Sequence, residues 1–318
     1  MSSSADHLRH RVVVRFLTGA TGPTGGPEGS DVIGRLLGVD PLRVERRDGS
    51  IVEIDPDTVV ALKPVPDRPA RRRRAVSIGA DELERITSLG WPALESERLG
   101  DWEMRAARGF TGRANSVLVG GDPGIAFDDA VLRIEDFYRE RGLTPLVQVV
   151  ADSPDERAFL AADWMPKRGY RGGAVVQVAD LGDHSPDPEA AVDDQVTDDW
   201  LARYERIDED RETALAVLSG PETVGFVRLG SPALAIGRVV VTGQWAGIAA
   251  VETHPDHRRQ GLARRVVETA MAWAADHGAV SMYLQTMPDN APALALYAPF
   301  GFVTHHEYRY LEPGSGSE

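Results

Sequence analysis

The sequence predicts an α+β chain built on a mixed β-sheet and preceded by a small all-β unit. Three observations carry this. Short β-branched runs crowd residues 11–62, each ended by a turn signal. A hydrophobic strand at 247–253 breaks through a basic turn into a helix at Gly261. Residues 78–178 alternate helical and strand patterns and reach a Gly-aromatic step, Gly169-Tyr170, as the C-terminal part does at Gly301-Phe302. A chain of 318 residues has room for two or three such units.

Composition narrows the function classes. Apolar residues make up 42% and charged residues 26%, the balance of a soluble globular protein. No apolar run approaches the ~18 residues of a membrane span, and residues 1–11 lack a signal-peptide core. A cytoplasmic protein with no membrane partner is expected. The chain has no cysteine. That excludes disulfides, thiolate zinc sites and any covalent cysteine intermediate. A net charge of −14 argues against a general nucleic-acid binder, which needs a basic face. An acidic body suits a cationic amine, although an acidic pI is also common for no such reason.

In chain order, strands are expected at 11–17, 33–37, 42–46, 51–54 and 59–62, with Asp48-Gly49 as a hairpin turn. Such short strands suggest an SH3-like barrel over residues 1–66, with packing against its own chain as its expected role. Pro- and Arg-rich residues 67–75 read as an extended linker. The next unit, 76–185, reads as a helix (78–89), strands at 102–107 and 116–119, a helix (128–141), a strand (146–150), a helix (155–165) and a strand (174–178). The loop 110–115 is a candidate wall of a substrate pocket. Residues 180–198 are acidic and read as a linker or surface loop. Residues 186–318 then supply two short helices (199–207 and 211–218), a hairpin (223–229 and 234–242), the strand 245–253, the turn and its helix, a strand (280–286) and a polar tail.

The turn has its own chemistry. Leu262, Val266, Ala270 and Trp273, with Val267, Met271 and Ala274, form one apolar helix face, while Arg264, Arg265, Glu268 and Asp276 point away. A helix opening directly from a strand gathers unpaired backbone N–H groups and a positive dipole end at one point. This is an anion site, best fitted by pyrophosphate. Gly261 keeps side chains away from the amides, Ala263 is small, and Arg258, Arg259 and Arg264 add charge.

Arg258-Arg259-Gln260-Gly261-Leu262-Ala263 fits an Arg/Gln-x-x-Gly-x-Gly/Ala pattern. Downstream, Asn290-Ala291-Pro292-Ala293-Leu294-Ala295-Leu296-Tyr297 precedes Gly301-Phe302. Together with the strand before the turn, these segments resemble the GNAT superfamily of acetyl-CoA-dependent N-acetyltransferases. The resemblance implies a GNAT fold for 186–318. It also implies a degenerate GNAT-like repeat for 76–185, where Gly121-Asp122-Pro123-Gly124 replaces the Arg-rich loop, so acetyl-CoA is expected only on the C-terminal unit. The three-part layout resembles an actinobacterial GNAT group with an N-terminal barrel.

The resemblance implies roles for single residues. Arg258, Arg259, Gln260, Gly261, Leu262, Ala263 and Arg264 would hold the pyrophosphate. Val251, Glu252 and Thr253 would offer backbone groups to the pantetheine as an added strand does. An N–H of that strand would face the thioester carbonyl. Tyr297 stands where the family often has its general acid, with a core aromatic as the alternative, and Asn290 where a residue often touches the cofactor. Glu252 can accept the amine's proton, directly or through water, or only bind a cation. A catalytic glutamate that some members carry upstream is here Gly247. His254, His257, His305 and His306 read as surface or strand-partner residues. The implied reaction is direct attack, in a ternary complex, by a primary amine of a small molecule or a basic protein, with no metal. A non-catalytic acyl-CoA-binding regulator is the alternative, and oligomeric state is left open.

Overall fold

The structure, a computed structural model, describes residues 8, 10–21, 27–46, 49–65, 75–167, 172–206 and 210–314. Asp48 of the expected hairpin turn, linker residues 67–74, the Gly169-Tyr170 step and most of the polar tail lie outside the described residues.

The N-terminal unit contains β1 (Arg11–Thr21), β2 (Pro27–Val39), β3 (Leu42–Glu45), β4 (Ile51–Ile54) and β5 (Val59–Val65). They form a five-stranded antiparallel sheet in the order β4-β3-β2-β1-β5. Alternate residues turn inward, so Val12, Val14, Val32, Leu36, Leu42, Val44 and Ile54 make a small core. The unit packs on the rest of the chain through polar contacts. The Arg11 guanidinium donates to the Asp276 carbonyl at 2.5 Å, Arg15 donates to the Glu222 carbonyl at 3.5 Å, and Lys63 pairs with the Glu222 carboxylate.

The middle of the chain forms α1 (Ala80–Gly90), β6 (Glu95–Leu99), β7 (Trp102–Ala106), β8 (Val117–Leu118), α2 (Phe127–Arg139), β9 (Val147–Val150), α3 (Pro154–Ala161), β10 (Trp164–Pro166) and β11 (Gly173–Asp180). The C-terminal part forms β12 (Ala190–Asp193), α4 (Asp198–Arg203), α5 (Arg211–Ser219), β13 (Val224–Leu229), β14 (Ala235–Thr242), β15 (Trp245–Thr253), α6 (Leu262–Asp276), β16 (Ser281–Thr286), α7 (Ala291–Tyr297) and β17 (Val303–Pro313).

Both parts share one 12-stranded sheet, in the order β12-β13-β14-β15-β16-β11-β17-β9-β8-β7-β6, with β10 paired to β17. Its two parallel pairs, β8 with β9 and β15 with β16, take matching places in the two halves. Each half thus contributes one parallel strand pair. The closing strands are exchanged: β11 lies between β16 and β17, while β17 lies between β11 and β9.

Two local expectations are corrected, and one strand is unexpected. The helix expected at 155–165 ends at Ala161, because Asp163 takes a left-handed φ of 61° and Trp164 turns into the core as part of β10. β6, with the sequence ESERL, escapes an apolar-period reading because an edge strand carries charges on its exposed positions. The acidic stretch 180–198 contains β12, paired with β13 as the outer strand of the sheet. Arg265 holds that stretch against α6 through Asp187, at 2.6 and 2.8 Å, and Glu189, at 2.5 Å.

Candidate active site

The site begins where two strands part. β15 pairs in parallel with β16 only from Trp245–Ser281 to Ile248–Leu284, although β15 continues to Thr253. On its other edge β15 carries a bulge. Arg238 faces Ala249 and Ile236 faces Glu252, which leaves Ala250 and Val251 opposite Gly237. Ala250 sits at φ 53°, a left-handed conformation that costs an L-residue ~1–2 kcal/mol. A bulge bends its strand, and here it turns 249–253 away from β16. The main-chain groups of Val251, Glu252 and Thr253 on that side face a fork instead of a neighbouring strand.

At the mouth of the fork stands the basic turn. Arg259 has φ 59° and Gly261 φ 80°, and the first helical bond of α6 runs from Arg265 N–H to the Gly261 carbonyl at 3.2 Å. No side chain caps α6. The first-turn amides of Leu262, Ala263 and Arg264 are thus left outward-facing by helix geometry. A Cβ built on Gly261 would meet nothing within 4 Å, so glycine is required by the backbone angle and the space beside the amides is open. Arg258 donates to the Thr253 carbonyl at 3.5 Å, and Arg264 is paired with Glu268 at 3.1 Å. The same place in the first half is occupied by acid: Asp122 N–H donates to the Asp101 carboxylate at 2.9 Å, and Gly124 N–H to the Asp122 carboxylate at 2.8 Å. Asp128 and Asp129 follow in the first turn of α2. Those carboxylates occupy turn amides and repel phosphate.

The remaining expected residues are placed as follows. Tyr297 is buried in the core beneath α6, its ring 5.5 Å from that of Phe302, and desolvation raises its phenol well above the ordinary range. It is therefore protonated at neutral pH. Asn290 caps α7, its side-chain oxygen accepting from Ala293 N–H at 3.2 Å. Glu252 points to the face of β15 opposite Val251. Val251 packs into the core with α6, whereas the Glu252 carboxylate accepts from Glu205 N–H, just beyond α4, at 2.8 Å. Burial raises the Glu252 carboxyl, against a lowering by that hydrogen bond. The histidines serve structure: His254 accepts from Asp256 N–H at 3.3 Å, and His306 meets the buried Glu84 at 2.8 Å.

Of the other residues on the α4 face of the fork, the sequence singles out only Gly247 and the loop 110–115. Trp91 ends α1 and stacks on Phe110 at 6.4 Å between ring centroids. Arg113, from the loop 110–115, lies 3.9 Å over the Trp91 ring and donates to Gln285 at 3.3 Å. That loop, from the first half, does reach the fork. Gly247 is needed for space: a Cβ there would lie 2.4 Å from the Tyr283 ring and hydroxyl. Buried Arg238 in an otherwise apolar strand, AIGRVVVT, is the one signal that local sequence offers for the rest. Among the described residues no group of three or more His, Asp or Glu side chains is arranged to hold a metal ion. No described helix is long and apolar enough to cross a membrane.

A split parallel strand pair, a bulge and an uncapped helix behind a basic turn form one continuous site. The fold is shared with a GCN5-related N-acetyltransferase from Kribbella flavida, at a TM-score of 0.52 and 16% identity, covering 74% of this chain and 96% of that one. A tandem GNAT protein from the clavulanic acid biosynthesis pathway aligns at a TM-score of 0.52 and 15% identity, covering 77% and 90%. In sequence, the "Probable histone acetyltransferase Rv0428c" of Mycobacterium tuberculosis is 32% identical, over 96% of this chain and 95% of its own length. An "Uncharacterized N-acetyltransferase YobR" of Bacillus subtilis is 26% identical, over 72% and 97%. Residues 80–311 match the family described as "Probable histone acetyltransferase Rv0428c C-terminal", and residues 7–63 match "Rv0428c N-terminal Sm-like domain". The chain belongs to this acetyltransferase family.

Proposed function

We propose that residues 186–318 bind acetyl-CoA and pass its acetyl group to a primary amine by direct attack in a ternary complex. The observation that carries the reading is the fork itself: strand 249–253 bent from β16 and ending at the uncapped, glycine-led start of α6. The amides of Gly261, Leu262, Ala263 and Arg264 would hold the pyrophosphate, with Arg258, Arg259 and Gln260 around it. The open edge at Val251, Glu252 and Thr253 would pair with the pantetheine, and its N–H groups would steady the thioester oxygen as negative charge grows there. Asn290, at the start of α7, would line the cofactor's far side.

The amine would arrive from the opposite face, between β15 and α4. Glu252 lies there with a raised carboxyl, suited to taking the amine's proton directly or through water. Tyr297, protonated and on the helix behind the fork, would return a proton to the leaving thiolate. The N-terminal unit and the 76–185 repeat would shape acceptor access, through contacts such as that of Arg113, without binding acetyl-CoA. The name of the mycobacterial relative makes a basic protein one acceptor worth testing beside small amines.

The test is thiol release from acetyl-CoA by the full chain against a panel of small amines, amino acids and basic peptides. Release that needs both donor and an amine supports the reading. Binding of acetyl-CoA with no release against any amine would favour a non-catalytic acyl-CoA-binding protein.

A further inference from the structure

Beside the fork, on its acceptor face, lies a cavity of about 10 Å³ for the centre of a water, room for one oxygen atom. Trp91, Arg113, Arg238, Gly247, Tyr283 and Gln285 are among its walls. Arg238 is the unusual member. It is 1% exposed, and no Asp or Glu among the described residues forms an ion pair with it. Its Nε donates to the Leu218 carbonyl at 2.7 Å and its Nη1 to the Gly90 carbonyl at 3.0 Å. Those bonds tie together the ends of α5 and α1, a sound structural use for a cation at helix C-termini. They leave the buried Nη2 with no acceptor.

A guanidinium keeps its charge at neutral pH even where burial disfavours it, as burial does here. A buried cation without a counter-ion is costly, and an orphaned charged donor adds to the cost. A second cation makes the imbalance larger. Arg113 lies 3.9 Å and Arg238 4.9 Å from the centroid of the same Trp91 ring. Gln285 accepts from Arg113 but brings no negative charge. The Tyr283 phenol also borders the cavity, held there by the missing side chains of Gly90 and Gly247, where a Cβ would come within 2.1 and 2.4 Å of its hydroxyl. The wall thus holds two cations and a phenol, and no Asp or Glu is among its lining residues.

We propose that this cavity receives a carboxylate oxygen of the acceptor, so that the acceptors are amine-bearing carboxylic acids, with Arg238 Nη2 as the charged donor at its floor. The rest of the acceptor then stays in the open part of the fork, with its amine toward the bend in β15. The inference rests on the acetyltransferase reading for the amine, and on the cavity alone for the carboxylate.

Two measurements on the full chain separate them. In the first, thiol release from acetyl-CoA is compared for glycine against glycinamide and for lysine against lysinamide. A hydrogen bond to a charged group corresponds to roughly ten- to a hundredfold, so kcat/KM is expected to favour each carboxylate by about that factor. The second needs no acetyl-CoA: melting of the protein with N-acetylglycine against N-acetylglycinamide, only the former being expected to stabilise. Gln285→Glu places a carboxylate among the cavity's cations while keeping both arginines, and is expected to remove both preferences. Arg238→Met should do the same; because that variant can fail to fold, Gln285→Glu carries the test.

Equal kcat/KM for acids and amides, with no selective stabilisation by N-acetylglycine, would overturn the carboxylate site and leave the acetyltransferase reading standing. Selective stabilisation lost in Gln285→Glu, but no thiol release with any amine, would support the carboxylate site and overturn the acetyltransferase reading. Preferences that persist unchanged in a folded Gln285→Glu would place the carboxylate elsewhere and overturn the proposal.

Discussion

The Glu252 carboxylate is bonded at 2.8 Å to the backbone N–H of Glu205, which ties the end of β15 to the segment beyond α4. Desolvation is the larger influence on Glu252 and raises its carboxyl. The folded chain therefore binds more protons than the unfolded one in the window from the ordinary glutamate value, about 4.3, up to the raised value. Stability contributed at this position is present below that window and falls as pH rises through it. Glu252→Gln should flatten this part of the stability profile, as read from denaturant midpoints across the window. If Glu252 is the base, the same variant should also lose the acidic limb of the kcat/KM profile. An unchanged limb would assign proton removal to another group.

Tyr297 meets Phe302 edge-on, at 63° between the ring planes. Tyr297→Phe keeps that packing and removes only the hydroxyl, so melting temperature and acetyl-CoA affinity should change little. Turnover should fall by ~10²–10⁴-fold, toward the lower end because a thiolate leaves readily. Unchanged turnover would mark Tyr297 as a core aromatic alone.

Gly261 leads α6 with nothing within 4 Å of its missing Cβ. Acetyl-CoA at ~100 times its dissociation constant should stabilise the native protein by ~2.7 kcal/mol. Gly261→Glu puts a carboxylate beside the first-turn amides and should abolish that shift. Gly261→Ala introduces only the strain of a left-handed alanine, ~1–2 kcal/mol, and should keep a measurable shift. Thermal melts with and without acetyl-CoA check both, and a full shift in Gly261→Glu would move the phosphate site elsewhere.

Arg11 reaches from the N-terminal unit to the last carbonyls of α6. A cation at a helix C-terminus contributes about 0.3–1 kcal/mol. Arg11→Ala should lower stability by about that amount and leave the acetyl-CoA shift intact, since the N-terminus of α6, where the phosphates are proposed to bind, lies at the opposite end of a 15-residue helix. Loss of the shift in a folded Arg11→Ala protein would show that the N-terminal unit acts on cofactor binding.

Contiguous residues make much of this protein legible from sequence alone. The strand, basic turn and apolar helix face at 245–276 follow from local spacing, and so does the uncapped, glycine-led helix start at Gly261, because its amides belong to successive residues. The β-branched runs of the N-terminal unit and the acidic turn at 121–124 are readable for the same reason. The bend at Ala250 is not, since nothing local marks an alanine for a positive φ, and β6 and β12 hide in charged sequence.

Tertiary structure alone decided the rest. The β11 pattern, GAVVQVAD, would suit an interior strand of either half; only the completed sheet puts it between β16 and β17. The cavity wall on the α4 side of the fork likewise joins Trp91, Arg113, Arg238 and Tyr283 from four distant stretches. Their meeting depends on long-range pairing and helix packing, which no local pattern encodes. A spacing rule can find groups that one turn of chain brings together, but an unpaired charge becomes visible only when everything around it has been placed.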